Sequence, residues 1–227
     1  MYHTLENWIT TQYSPALELS DKGINLSESH EIFSCPSGWF LIVNSVLELI
    51  IDVSSEVWVT QIEEENGSLL ITYTAPSSED CDYVFGLCDM AKLISQTACE
   101  ICGQQGQMLQ NDNLAARCSV HNELSFNYEE TDSFKNPPFD VNKLGKRWGQ
   151  MISTLYERVL ALKHDGSMPD VKFNQVIKEN GELCIDYCGG NEVTHGMVDL
   201  LLLYSLKIDA DTGQVRRRDN YEDLLNL

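Results

Sequence analysis

Trp39, Ile42, Val46 and Ile50 recur at i, i+3, i+7 and i+11, and Trp148, Met151, Leu155 and Val159 repeat that spacing 109 residues later. Such spacing puts each set on one helical stripe, so it predicts two amphipathic helices of the same design. After each comes an alternating stretch broken by one turn signal. Val57 to Ile62 and Leu69 to Tyr73 flank Glu65-Asn66-Gly67, and Val171 to Ile177 and Leu183 to Tyr187 flank Glu179-Asn180-Gly181. Asn-Gly supplies the positive φ angles of a tight type I′ turn, so both stretches read as β-hairpins. Gln61, Gly67 and Tyr73 map onto Gln175, Gly181 and Tyr187 at a single offset of 114.

A second helix follows each hairpin, with Gly86, Asp89 and Ser95 matching Gly196, Asp199 and Ser205 at an offset of 110. Beyond it Cys99 aligns with Asp209, and the pair Gly106-Gln107 is matched to Gly213-Gln214. Asp209, Asp211 and Gly213 are expected to form a plain turn leading into a strand from Gln214 to Arg217. The chain therefore reads as an internal repeat. Two helix–hairpin–helix units make an α+β protein with antiparallel sheet, in contrast to the strict alternation of a doubly wound fold. The expected division is an N-terminal extension, 1–34, in which Leu5, Trp8 and Ile9 suggest a short docking helix; a first unit, 35–122; a polar linker, 123–139, containing Pro137-Pro138; and a second unit, 140–227.

Metal chemistry enters in the first unit only. Cys99-Glu-Ile-Cys102 and Cys118-Ser-Val-His121 form a C-x2-C and C-x2-H pair separated by fifteen residues. Two-residue spacings let a tight turn aim both ligands at one tetrahedral ion, so Cys99, Cys102, Cys118 and His121 are the expected ligands of one Zn2+. Gly103 and Gly106 suit the turn after the first pair. Three thiolates and an imidazole close the shell, whereas a catalytic zinc keeps a position open for water, so the expected role is structural. A zinc deaminase would carry H-x-E upstream of P-C-x-x-C. Here His121-Asn-Glu123 comes after the cysteine pair, and Thr97-Ala98 precedes Cys99.

Charge changes the picture of partners. The net charge is −20, and through Asp140 there are 22 Asp and Glu against 4 Lys and Arg, while the remainder has 13 against 11. Such a field repels phosphate backbones, which argues against direct nucleic-acid binding and for a basic protein partner. Glu63, Glu64 and Glu65 at the first hairpin tip, with Glu79, Asp80 and Asp82 at the start of the following helix, are the candidate partner-facing residues; the alternative is that this charge only keeps the protein dissolved. The opening residues lack the basic and apolar regions of a signal peptide, and no apolar run approaches the ~20 residues of a membrane span. With eight cysteines and no export signal, the expected location is the cytoplasm, where thiols stay reduced. No membrane association is expected, and the oligomeric state is left open.

There is no G-x-S-x-G elbow, Walker loop or dinucleotide fingerprint. Cys184 and Cys188 with His195 could form part of a second metal site, although Cys184 falls on a strand position suited to a small buried hydrophobe. Arg216-Arg217-Arg218 reads as a salt-bridged edge beside Asp219, Glu222 and Asp223.

The stretch from Cys35-Pro-Ser-Gly38-Trp39 through Asn66-Gly67-Ser68-Leu69 to the four metal ligands resembles small zinc-binding proteins of phages, prophages and bacterial genomes. Those open with a Cys-Gly-Asp-Gly-Trp type motif, pass through a helix and hairpin, and close with C-x2-C and C-x2-H. Pro36-Ser37 replaces Gly-Asp here, and the strand before the turn is acidic where theirs is basic. The resemblance implies the fold of the first unit and a bacterial or mobile-element setting. The leading expectation is a non-enzymatic acidic protein that neutralises a basic target, as an immunity protein or a phage-type inhibitor. The alternatives are an enzyme with a dispersed carboxylate and histidine site between the units, and a zinc-supported nucleic-acid module with a basic groove at Arg117, Lys143, Lys146 and Arg147.

Overall fold

The computed structural model describes residues 1, 3–17, 32–109, 114–122 and 137–216. A short helix α1 (His3–Gln12) is followed by strand β1 (Phe33–Ser34), helix α2 (Phe40–Val53), strands β2 (Trp58–Glu65) and β3 (Ser68–Thr74), and helix α3 (Ser78–Ser95). Two three-residue strands, β4 (Gln107–Leu109) and β5 (Ala115–Arg117), come next. The order helix, hairpin, helix then recurs as α4 (Lys146–His164), β6 (Val171–Glu179), β7 (Glu182–Gly189) and α5 (Glu192–Lys207). The protein is thus α+β with antiparallel hairpins, as the patterning predicts. Most of the linker, 123–136, lies outside the described residues, as do 18–31 of the N-terminal extension. The strand expected from Gln214 to Arg217 does not form over its described residues, 214–216: Val215 makes only an isolated bridge to Ile208, and Arg217 lies outside the described residues.

Both stripes face the interior. Trp39, Ile42, Val46 and Ile50 are fully buried, as is Trp148, and Met151, Leu155 and Val159 are nearly so. The strands run further toward the turns than read from the sequence, since Glu65 and Glu179 belong to them. The turns proper are Asn66-Gly67, at φ +52° and +74°, and Asn180-Gly181, at +51° and +83°, the pair of positive angles a type I′ turn needs. Each hairpin also carries one register shift, between Val59 and Gln61 in the first and between Phe173 and Gln175 in the second. β1 lies parallel to β2 along the edge of the first hairpin, with Phe33 opposite Ile62. Among the described residues no third strand joins β6 and β7.

α3 and α5 pack directly on each other, and two glycines allow it. A Cβ on Gly86 would collide with the Val193 carbonyl, and a Cβ on Gly196 with the Tyr83 carbonyl. The crossing is cross-braced: the Tyr83 hydroxyl donates to Asp199 at 2.9 Å, and Arg158 of α4 holds Asp89 of α3 through Nε and Nη2 at 2.6 and 3.1 Å. Buried side chains from α1 through α5 form one continuous core that includes both Trp39, just before α2, and Trp148 of α4. α1 docks on it through Leu5 and Ile9, both almost wholly buried. No helix among the described residues is long and apolar enough to cross a membrane.

Candidate metal centre

The turn after α3 is built by its own backbone. Ala98 bridges to Gln105, the Cys99 N–H donates to the Gln104 carbonyl, and the Gly103 N–H donates back to the Cys99 carbonyl at 2.8 Å. Gly103 sits at φ +73°, which an unbranched backbone tolerates. The second ligand pair lies just past β5, where His121 N–H donates to the Cys118 carbonyl. Glu100 holds the two pairs together: its N–H donates to the Ala116 carbonyl, and its carboxylate accepts from Ala116 N–H and from Arg117 Nη1 at 2.6 Å.

Cys99, Cys102, Cys118 and His121 thereby converge, with their four ligand atoms within 4.8 Å of one another. His121 Nδ1 lies 3.5 Å from Cys99 Sγ and 3.3 Å from Cys118 Sγ, and Cys102 Sγ lies 3.7 Å from Cys118 Sγ. The cysteines are free thiols, as are all those of the chain. The Cys102 thiol donating to Cys99 draws Cys99 down, against the upward pull of burial and with help from backbone N–H groups of Cys102, Cys118 and Ile101; the same thiol–thiol bond pushes Cys102 up. The thiolate is the form of cysteine that binds metal. The arrangement is compatible with a metal site, and it is the one such His, Cys and carboxylate group among the described residues. Cys184 and Cys188 lie along β7 and belong to no such group.

Two supports escaped the sequence reading. Gly38 donates its N–H to the Glu100 carbonyl at 2.9 Å, and a Cβ there would strike the Cys99 carbonyl. Trp39 Nε1 donates to the Ala98 carbonyl at 3.1 Å. The Gly-Trp pair thus forms the seat of the metal turn, a role that spacing alone does not reveal because the two segments are some sixty residues apart.

The turn after α5 has the same bonding without thiols. Ile208 bridges to Val215, Asp209 N–H donates to the Gln214 carbonyl, and Gly213 N–H donates to the Asp209 carbonyl. Gly103, and not Gly106, is therefore the counterpart of Gly213. Where Cys99 faces its fellow ligands, Asp209 Oδ1 accepts from Asp211 N–H, Thr212 N–H and Thr212 Oγ1. These bonds, the Thr212 N–H first among them, hold the Asp209 carboxyl below its ordinary range. The two turns touch, with Gln105 N–H donating to the Thr212 carbonyl.

The acidic candidates do not form one patch. Glu63, Glu64 and Glu65 are at the tip of the β2–β3 hairpin, where Glu64 accepts from the Gly67 N–H at 2.7 Å and Glu63 from the Gln61 amide. Glu79, Asp80 and Asp82 lie in the first turns of α3, capped by Ser77. Glu63, Glu64 and Glu65 pair with Leu70, Leu69 and Ser68 at the start of β3, whereas α3 follows its far end at Thr74; Leu69 and Thr74 are roughly 17 Å apart along the strand at about 3.4 Å per residue. The end holding Glu79 and Asp82 also exposes Val53 and Trp58, and Phe85 lies further along α3. The basic groove is not assembled either: Arg147 is wholly buried and Arg117 is paired with Glu100.

In comparison with known proteins, no family model matches the chain, and neither does a curated protein or a solved structure.

Proposed function

We propose that the protein is a non-enzymatic, zinc-stapled scaffold of two related helix–hairpin–helix copies, and that its acidic first part captures a basic protein. The observation that carries the reading is the segregation of charge, 22 acidic against 4 basic residues through Asp140 and 13 against 11 after it. A basic partner would be steered to such a surface and held less tightly as salt rises. Of the two acidic groups, the one at the start of α3 is the better docking surface, because Trp58 and Phe85 add apolar contact beside Glu79 and Asp82. An immunity protein facing a basic nuclease-type toxin, or an inhibitor facing a basic defence protein, would have this character.

Zinc is the metal best suited to three thiolates and an imidazole. Tetrahedral bonds of about 2.3 Å to sulfur and about 2.0 Å to nitrogen place sulfurs about 3.8 Å apart and sulfur about 3.5 Å from nitrogen. The separations of 3.7, 3.5 and 3.3 Å support that assignment. The matched register shifts, the Gly86–Gly196 crossing and the shared turn bonding support the two-copy reading.

Co-purification from the native host at low salt, followed by mass spectrometry, tests the function. A basic protein should be retained, released by high salt, and lost on Glu79→Lys with Asp82→Lys but kept on Glu63→Lys with Glu65→Lys. Retention of no basic protein at low salt would remove the reading's support.

A further inference from the structure

A cavity of about 370 Å3 opens between the two turns. Its walls are residues 101–104 of the metal turn on one side and 213–215 of the metal-free turn on the other. Leu5, Phe40 and Tyr204 form its floor, each at most 2 % exposed. No carboxylate, histidine, lysine or arginine is among its described lining residues. The volume falls in the range of small-molecule sites, which run from about 300 to 1,000 Å3.

Tyr204 separates this cavity from a mere packing gap. The other two buried tyrosines are satisfied within the protein, Tyr13 by Asn44 at 2.6 Å and Tyr83 by Asp199 at 2.9 Å. The Tyr204 hydroxyl, on a side chain 2 % exposed and lining the cavity, has no hydrogen-bond partner among the described residues. The hydroxyl is not among the buried polar atoms cut off from solvent, so it is open to the cavity and can act as a polar anchor for whatever enters. The geometry points to a binding site for a small neutral molecule, aromatic or branched aliphatic, that offers one acceptor oxygen to Tyr204 and buries the rest of its surface against Leu5, Phe40 and Ile101. An ionised ligand is disfavoured, since the described lining holds no opposite charge to meet it.

This site is independent of the acidic surface and does not need a basic partner. It does share a wall with the metal centre, because Cys102 and its neighbours Ile101 and Gly103 line it. The metal-loaded full-length protein is therefore the form to test.

The experiment is titration with 4-propylphenol, followed by amide chemical shifts, with propylbenzene as the control that lacks the oxygen. Saturable shifts confined to residues 101–104 and 213–215 are expected. Tyr204→Phe should weaken the phenol roughly three- to tenfold, the worth of one hydrogen bond, and leave propylbenzene unchanged. Ile101→Trp, at a position 47 % exposed, should close the mouth and abolish binding of both while the amide spectrum stays that of the folded protein. That variant carries the test if Tyr204→Phe does not fold. Shifts that do not saturate, shifts spread over other exposed apolar residues, or equal affinity of Tyr204→Phe and the parent for the phenol would overturn the assignment.

Discussion

Arg147 Nη1 donates to both the carbonyl and the hydroxyl of Thr97, each at 2.7 Å, joining the first turn of α4 to the base of the metal turn. The guanidinium is wholly buried, and its Nε and Nη2 have no partner among the described residues. Thr97 does not depend on it: its carbonyl also accepts from Gly106 N–H, and its hydroxyl donates to the Ile94 carbonyl. Burial of a cation without a carboxylate costs more than such replaceable bonds return. Arg147→Met, which keeps the volume, should therefore leave stability unchanged or raise it by about 1–2 kcal/mol. Arg147→Ala should lower it by about 2–4 kcal/mol through the cavity it opens. Urea denaturation of both variants decides the matter; a large loss in the methionine variant would show that the charge itself is needed.

Metal removal should be felt through the whole chain. The core is continuous across both halves, and the metal turn is bonded to the turn after α5 through Gln105 and Thr212. Because metal-binding free energy at a structural site is folding free energy, a chelator should lower the melting temperature in one cooperative transition. Metal analysis of the purified protein should find one zinc per chain, and Cys99→Ser should mimic the chelated melt. Two separated transitions would mean that the halves fold independently.

The α3–α5 crossing has little tolerance for added bulk. Alanine normally improves a helix over glycine by about 1 kcal/mol. At Gly196 the new methyl would meet the Tyr83 carbonyl, a backbone atom that cannot rotate away. Gly196→Ala should thus destabilise by about 1–3 kcal/mol despite the helix gain, and Gly86→Ala, against Val193, by a similar amount. A midpoint equal to or above that of the parent in urea would show that the helices can separate freely.

Asp209 makes the metal-free turn pH-sensitive. Its carboxyl is held below the ordinary range by donors from Thr212 and Asp211. A depressed folded-state value means stability that is present above the unfolded carboxylate range and is lost as pH falls through the folded value. Asp209→Ala should cost about 1–2 kcal/mol at neutral pH, the worth of hydrogen bonds to a charged group. The gap to the parent should shrink as the solution is acidified below the carboxylate range. A gap that persists at acid pH would assign the cost to packing.

Much of the site and half of the fold were legible because they are local. C-x2-C and C-x2-H spacing is a property of two tight turns, and Asn-Gly forces a type I′ hairpin through its own backbone angles, so neither needs the rest of the chain. The stripes that begin at Trp39 and Trp148 name the buried faces for the same reason, since helical period alone aligns them. Other features depend on contacts between segments distant in the chain, to which periodicity is blind. Gly38 and Trp39 as the seat of the metal turn, Gly86 against Val193, the burial of Arg147 and the cavity over Tyr204 are all of this kind. The acidic residues show the difference most plainly: the sequence determined that Glu63 to Glu65 and Glu79 to Asp82 are charged and solvent-seeking. Only the tertiary structure, by running β3 straight between them, decided that they are two surfaces, because an extended strand keeps its ends apart.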